Sequence, residues 1–162
     1  MNTIANLEFY QHDLKFSAGH FTIFSQTRRE HLHGHNYSLE VKVSALMQEP
    51  GLSFDYNLLK KKLVNECATL NSRFLLPSES PYLKIEDQGV YYHAIFNGEA
   101  IPFLKSDVII LPLSNITLEE LSKWFVEKIL EDKNFIEEEK IQSLMIKVFN
   151  GPDQSASFRW ER

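Results

Sequence analysis

Residues 16–46 read FSAGHFTIFSQTRREHLHGHNYSLEVKVSAL, and the second half of this stretch sets the fold. Tyr37, Leu39, Val41, Val43 and Ala45 alternate with Ser38, Glu40, Lys42 and Ser44. A period of two puts the apolar set on one face of a β-strand. A weaker alternation runs from Leu7 to Phe24. The pattern predicts two antiparallel strands joined by a turn at Ser25–Glu30.

Within the same stretch, His33-Gly34-His35 opens the second strand and His20 closes the first. Alternate strand residues point the same way, so His33 and His35 project from one face, ~6.5 Å apart along the chain. A third imidazole from the neighbouring strand gives three corners of a tetrahedron around a zinc ion (Zn2+), with the fourth left for a ligand. Three histidines with an open position form a catalytic pattern rather than a structural one. The competing interpretation is a set of scattered polar residues at a strand edge. His31 shares the parity of His33 and His35 but falls where the turn is still running, so it is read as solvated or as a support to the ligands. His12 and His93 have no partners in the sequence and are read as ordinary surface or strand histidines.

Outward from this hairpin, Asp55 is placed to cap a helix carrying Leu59, Leu63, Cys67 and Leu70 on one side. Thr117-Leu118-Glu119-Glu120 matches a capping box, with Leu121, Trp124, Phe125 and Ile129 as the apolar stripe of a second helix ending near Asp132. Between the helices, 77–112 reads as a β insertion with short strands at 82–85, 90–96 and 108–111 and a hairpin turn at Asn97-Gly98. Strands at 144–149 and 157–160 follow. The order is β-β-α-(insertion)-α-β-β, an α+β chain read as one domain over 1–162, with two helices covering one face of a sheet. The uncovered face calls for a second copy of the chain.

A net charge of -5 and the lack of a dense Lys/Arg stripe argue against nucleic acid as a partner. No apolar run approaches the ~20 residues of a membrane span, and no signal-peptide pattern opens the chain. The one cysteine, Cys67, excludes an intrachain disulfide. A cytoplasmic location is the expectation.

Taken together, Phe16-Ser-Ala-Gly-His20, Glu30-His-Leu-His33-Gly-His35-Asn36-Tyr37, Phe54-Asp55-Tyr56 and Asn115-Ile-Thr117-Leu-Glu119 resemble the 6-pyruvoyl-tetrahydropterin synthase and 6-carboxytetrahydropterin synthase family. The resemblance implies a T-fold: an antiparallel four-stranded sheet with two helices, assembled as a homo-trimer and stacked into a homohexamer. It also implies zinc and a small pterin substrate, dihydroneopterin triphosphate. Where usual members carry a catalytic cysteine before His-Gly-His, this chain has Gln26-Thr-Arg-Arg-Glu30. The Glu30-x-x-His33-Gly-His35 spacing is similar to that of type III members, in which glutamate replaces the cysteine and 6-hydroxymethyl-dihydropterin is released for folate synthesis. Glu30 is accordingly the candidate general acid–base. Thr117 and Glu119 are expected to line the pterin pocket. Arg28, with Arg29 and Lys15, is a candidate for the triphosphate, although ordinary solvated turn charges explain all three equally well. The family's Asp-His pair appears as Asn71-Ser72, and its pterin-anchoring glutamate as Asn150. A neutral amide lacks the charge-assisted pairing of a carboxylate, which keeps two alternatives open: an altered pterin- or purine-like substrate, or a zinc-binding homologue without activity.

Overall fold

The computed structural model describes residues 3–162. β1 (Ile4–His20) and β2 (His33–Leu46) pair antiparallel from Ile4↔Leu46 to His20↔His33, interrupted by a bulge between Tyr10 and Lys15. α1 (Tyr56–Leu70) follows, then β3 (Arg73–Pro77), β4 (Leu83–Gln88), β5 (Tyr91–Phe96), β6 (Glu99–Leu104) and β7 (Val108–Leu111). α2 (Leu118–Leu130), the short α3 (Lys133–Glu138), β8 (Ile141–Phe149) and β9 (Ser155–Glu161) complete the chain.

The main sheet has six strands in the order β7-β3-β1-β2-β8-β9, where four antiparallel strands are expected from the sequence. The antiparallel four are β1, β2, β8 and β9. The additional two, β3 and β7, extend the sheet beyond β1 as parallel neighbours. Parallel pairing demands a crossover between the strands, and α1 provides one before β3. The insertion provides the other, folding into its own antiparallel sheet β4-β5-β6. Its Asn97-Gly98 turn has φ values of 49° and 78°, the two left-handed residues that a tight hairpin needs.

One face of the main sheet is covered. Leu59, Leu63, Cys67 and Leu70 of α1 and Leu121, Trp124, Phe125 and Ile129 of α2 bury against Phe16, Leu39, Val41, Leu144, Ile146 and Val148. Asp55 caps α1 by accepting from the Asn57 N–H, and Thr117 caps α2 by accepting from the Glu120 N–H. Only half of the expected capping box forms, because the Glu120 carboxylate accepts from the Ser114 N–H instead. The insertion sheet builds a second apolar cluster from Leu83, Ala94 and Phe96 with Phe21, Ile23 and Leu76. This cluster lies under the connection between β1 and β2. β1 ends there at His20, earlier than the alternation to Phe24 suggests, whereas β2 opens at His33, as the histidine motif leads one to expect.

Between them, 21–32 forms a narrow loop. Phe24 and Ser25 donate their N–H groups to the Arg28 carbonyl, and the Ser25 hydroxyl accepts from the N–H groups of Thr27 and Arg28. Among the described residues, no helix is long and apolar enough to cross a membrane.

Candidate metal centre

The register of β1 and β2 makes His20 and His33 direct cross-strand partners. Two residues further along β2, His35 returns to the same face. The three rings converge at the end of the helix-covered face, where the core runs out. Their floor is Tyr37, stacked on Phe16 at 4.8 Å and edge-on to His35 at 5.6 Å.

The glycines flanking the histidines allow this close approach. A Cβ on Gly34 would sit 3.1 Å from the Ala18 carbonyl oxygen of β1. On Gly19 it would lie 2.4 Å from the Phe74 ring of β3, a distance no side chain tolerates.

The histidine nitrogens fit a cation. Nε2 of His33 lies 3.1 Å from Nε2 of His20 and 3.0 Å from Nε2 of His35. The three ligand atoms all fall within 4.8 Å of one another. Tetrahedral zinc with Zn–N bonds of ~2.0–2.1 Å spaces its ligands ~3.3 Å apart, close to what is seen.

The tautomers point the same way. His20 Nδ1 lies 2.8 Å from the Ile116 carbonyl and His33 Nδ1 lies 2.7 Å from the His31 carbonyl. A carbonyl only accepts, so each Nδ1 carries a ring proton, and in the Nδ1–H tautomer it is Nε2 that turns a lone pair toward the shared space. Facing lone pairs repel unless a cation lies between them, and a carbonyl behind each ring is the usual support for a metal-ligating histidine. Burial pushes the His20 imidazolium below its ordinary range, against the Ile116 carbonyl, and the neighbouring histidines lower it further. Burial and then His33 do the same for His35. Neutral imidazole is the form a metal takes.

Glu30 stands beside this cluster, its Oε2 3.7 Å from His33 Nε2. Its carboxylate accepts from the Thr22 N–H at 2.9 Å, and its own N–H donates to the Thr22 carbonyl at 2.9 Å. Burial pushes the carboxyl up, but the Thr22 N–H and the histidine charges more than offset this and hold it below the usual glutamate range. Arg29 closes the loop from outside. It donates to the Glu30 carbonyl at 2.8 Å and lies over the rings of Phe21 and Phe96.

The remaining candidates have other partners. Arg28 places its guanidinium 4.4 Å over Phe24. Thr117 caps α2 one residue after the Ile116 carbonyl that holds His20, and Glu119 is exposed on the first turn of that helix. Asn150 leaves β8 next to the Ser38↔Phe149 pair and bonds Gln154 through both its backbone and its amide.

Lys15 lines a cleft of about 630 Å³ with Asp13, Asn36 and Asn71, a space whose lining includes none of the three histidines. A smaller groove of about 480 Å³ passes His35 and is lined by Arg73, Phe74 and Asp107. Asn71 and Ser72 serve as braces on β1: the Asn71 amide oxygen accepts from the Ser17 N–H and the Ser72 N–H donates to the Ser17 carbonyl. Cys67 is buried in the core with its thiol pushed up to about 12 by burial, which leaves no reactive thiolate.

Thr22 and Ile116 escape a reading of the sequence because both act through backbone groups. His31 likewise contributes its carbonyl rather than its ring.

Known proteins share this arrangement of elements. A 6-carboxy-5,6,7,8-tetrahydropterin synthase, provisionally so assigned, from Methanocaldococcus jannaschii is 28% identical over 152 residues, covering 90% of each chain. The 6-pyruvoyl tetrahydropterin synthase of Plasmodium vivax superposes with a TM-score of 0.93 at 26% identity, covering 99% of this chain and 100% of that one. That of Plasmodium falciparum gives 0.92 at 27% over the same shares. Two further P. vivax structures, at 25% identity and 0.93, carry cysteine or alanine in place of a glutamate described as the catalytic residue. The family model for 6-pyruvoyl tetrahydropterin synthase matches residues 10–161, and the chain belongs to that family.

Proposed function

We propose that this protein is a zinc-dependent lyase that cleaves the side chain of dihydroneopterin triphosphate, or a close relative, to 6-hydroxymethyl-dihydropterin. Family membership supports the coarser statement, a lyase acting on pterins. The observation that carries the finer one is Glu30, 3.7 Å from His33 with its carboxylate fixed by Thr22, where other members have a cysteine. The P. vivax relatives, whose catalytic residue is a glutamate, support the same assignment.

His20, His33 and His35 would hold zinc, which supplies Lewis acidity toward the side-chain hydroxyls of the substrate. Glu30, ionised at neutral pH, takes the proton from the 2′-hydroxyl. The C1′–C2′ bond then breaks in a retro-aldol sense, its electron pair passing into the conjugated C6–N5 imine of the pterin. Glu30 returns its proton to C1′, and the phosphorylated two-carbon aldehyde departs. One carboxylate thus serves in both directions, as base and then as acid. Substrate contacts by Thr117, Glu119, Arg28 and Asn150 belong to the same proposal. So do a cytoplasmic location and a homo-oligomer of three or six copies.

Product analysis with dihydroneopterin triphosphate tests the reading. The intact protein should yield 6-hydroxymethyl-dihydropterin, and Glu30→Ala should lower kcat by ~10²–10⁴. Undiminished turnover in Glu30→Ala removes that residue from the mechanism. Neutral Asn150 favours a second reading with a different pterin or purine, which a thermal-shift screen detects because a ligand of the folded state raises its apparent stability.

A further inference from the structure

The loop that carries Glu30 has one edge turned away from its own hairpin. Ile23 faces Arg29 as an isolated bridge, with the hydrogen bonds made by residues on either side, so its N–H and carbonyl both point outward. Both are taken by a single side chain. The Asn115 amide oxygen accepts from the Ile23 N–H at 3.1 Å, and the Asn115 amide nitrogen donates to the Ile23 carbonyl at 2.8 Å. The same oxygen accepts from the Ile116 N–H at 3.1 Å, which fixes the amide plane relative to its own backbone.

Immediately beyond, the carbonyl of the fully buried Ile116 holds His20 Nδ1. On the other side, Thr22 precedes Ile23 and is bonded in both directions to Glu30. A path of short, geometrically fixed contacts therefore joins the histidine cluster to the carboxylate through Asn115.

We propose that Asn115 is a positioning residue: its carboxamide latches the Glu30 loop to the segment that orients His20, and so sets the carboxylate against the metal ligands. This rests on the roles proposed above for Glu30 and the histidines. The side chain must both donate and accept, which among residues of this length only asparagine does. Aspartate keeps the acceptor but sets a second oxygen against the Ile23 carbonyl.

The test compares Asn115→Ala with the unchanged protein in zinc affinity, measured by competition with a chelator, and in steady-state kinetics on the pterin substrate. The latch predicts a ~10- to 100-fold loss in zinc affinity and in kcat, with KM moving much less. With zinc saturating, Asn115→Ala in the Glu30→Ala background should cost no further kcat, because its effect on turnover passes through that carboxylate. Asp132→Ala, which removes the cap of α3, lowers stability while leaving both readouts unchanged. Should Asn115→Ala not fold, Asn115→Asp decides, with the same losses expected. Unchanged zinc affinity or unchanged kcat in a folded variant overturns the latch, as do kcat losses that multiply in the double variant. Glu30→Ala with undiminished turnover removes Glu30 from the mechanism instead, and zinc affinity alone then judges Asn115.

Discussion

Gly19 and Gly34 face one another across β1 and β2 between the cross-strand pairs that carry His20, His33 and His35. The smallness of Gly19 is demanded by Phe74, whose ring on β3 crosses directly over it. Gly19→Ala should therefore destabilise the protein by ~1–3 kcal/mol, the usual cost of overpacking. Phe74→Leu should recover part of that loss in urea denaturation; an additive double variant would show that the ring is not the obstacle.

The three histidines are legible in the sequence because strand parity and hairpin pairing are local rules. Thr22, Ile116 and the tie from Asn115 to Ile23 are not. Backbone carbonyls carry no residue signature, and Asn115 stands 92 positions from Ile23. Read along the chain, Asn115 looks like part of a helix start, as does Thr117, whose hydroxyl is indeed a cap.

Among the elements, the long strands and both long helices follow from periodicity. Of the short pieces, β4, β5 and β7 fall on strands expected within the insertion, whereas β3, β6 and α3 do not follow from the pattern. Arg73-Phe-Leu-Leu-Pro77 has no alternation because β3 is buried on both faces, and its apolar run of four residues, Phe74–Pro77, is ambiguous between helix and strand. β6 contains Pro102, which argues against a strand until the strand is known to lie at the edge of its sheet. α3 has six residues, too few for a helical period to emerge.

What stabilises α3 is its cap. Asp132 accepts from the Phe135 N–H at 3.0 Å and from Lys62 Nζ at 2.6 Å. The Lys62 ammonium first, and then the Phe135 N–H, hold the Asp132 carboxyl below its ordinary value of 3.8. A depressed pKa means that the unfolded chain binds the proton more readily. The stabilisation is thus present above 3.8 and is lost as pH falls through the folded value. Asp132→Asn keeps a capping oxygen but removes the charge. Its urea midpoint should fall short of the unchanged protein at pH 7, with the gap closing as the pH drops below 3.8. A gap independent of pH would contradict this assignment.

Across the whole molecule, the two helices cover one face of the six-stranded sheet, and the outer face carries exposed pairs such as Glu8–Lys42. Among the described residues, β9 and β7 leave their outer edges unpaired. Open edges invite pairing with another chain, and closure by further copies would remove them. Light scattering should report three or six chains per particle; a monomer at micromolar concentration would sink the proposed assembly.

The insertion sheet braces the loop of Glu30 from below, through Phe96 against Arg29 and Phe21. Histidines on β1 and β2, a carboxylate on the loop and a carbonyl before α2 are therefore brought to one point by separate parts of the chain. The proposed chemistry depends on that point holding a cation. Calorimetric titration of zinc into metal-free protein should show one ion bound per chain, lost when His20, His33 and His35 are replaced together by alanine. A chain that takes up no zinc, or takes it up equally well without those imidazoles, would contradict the account.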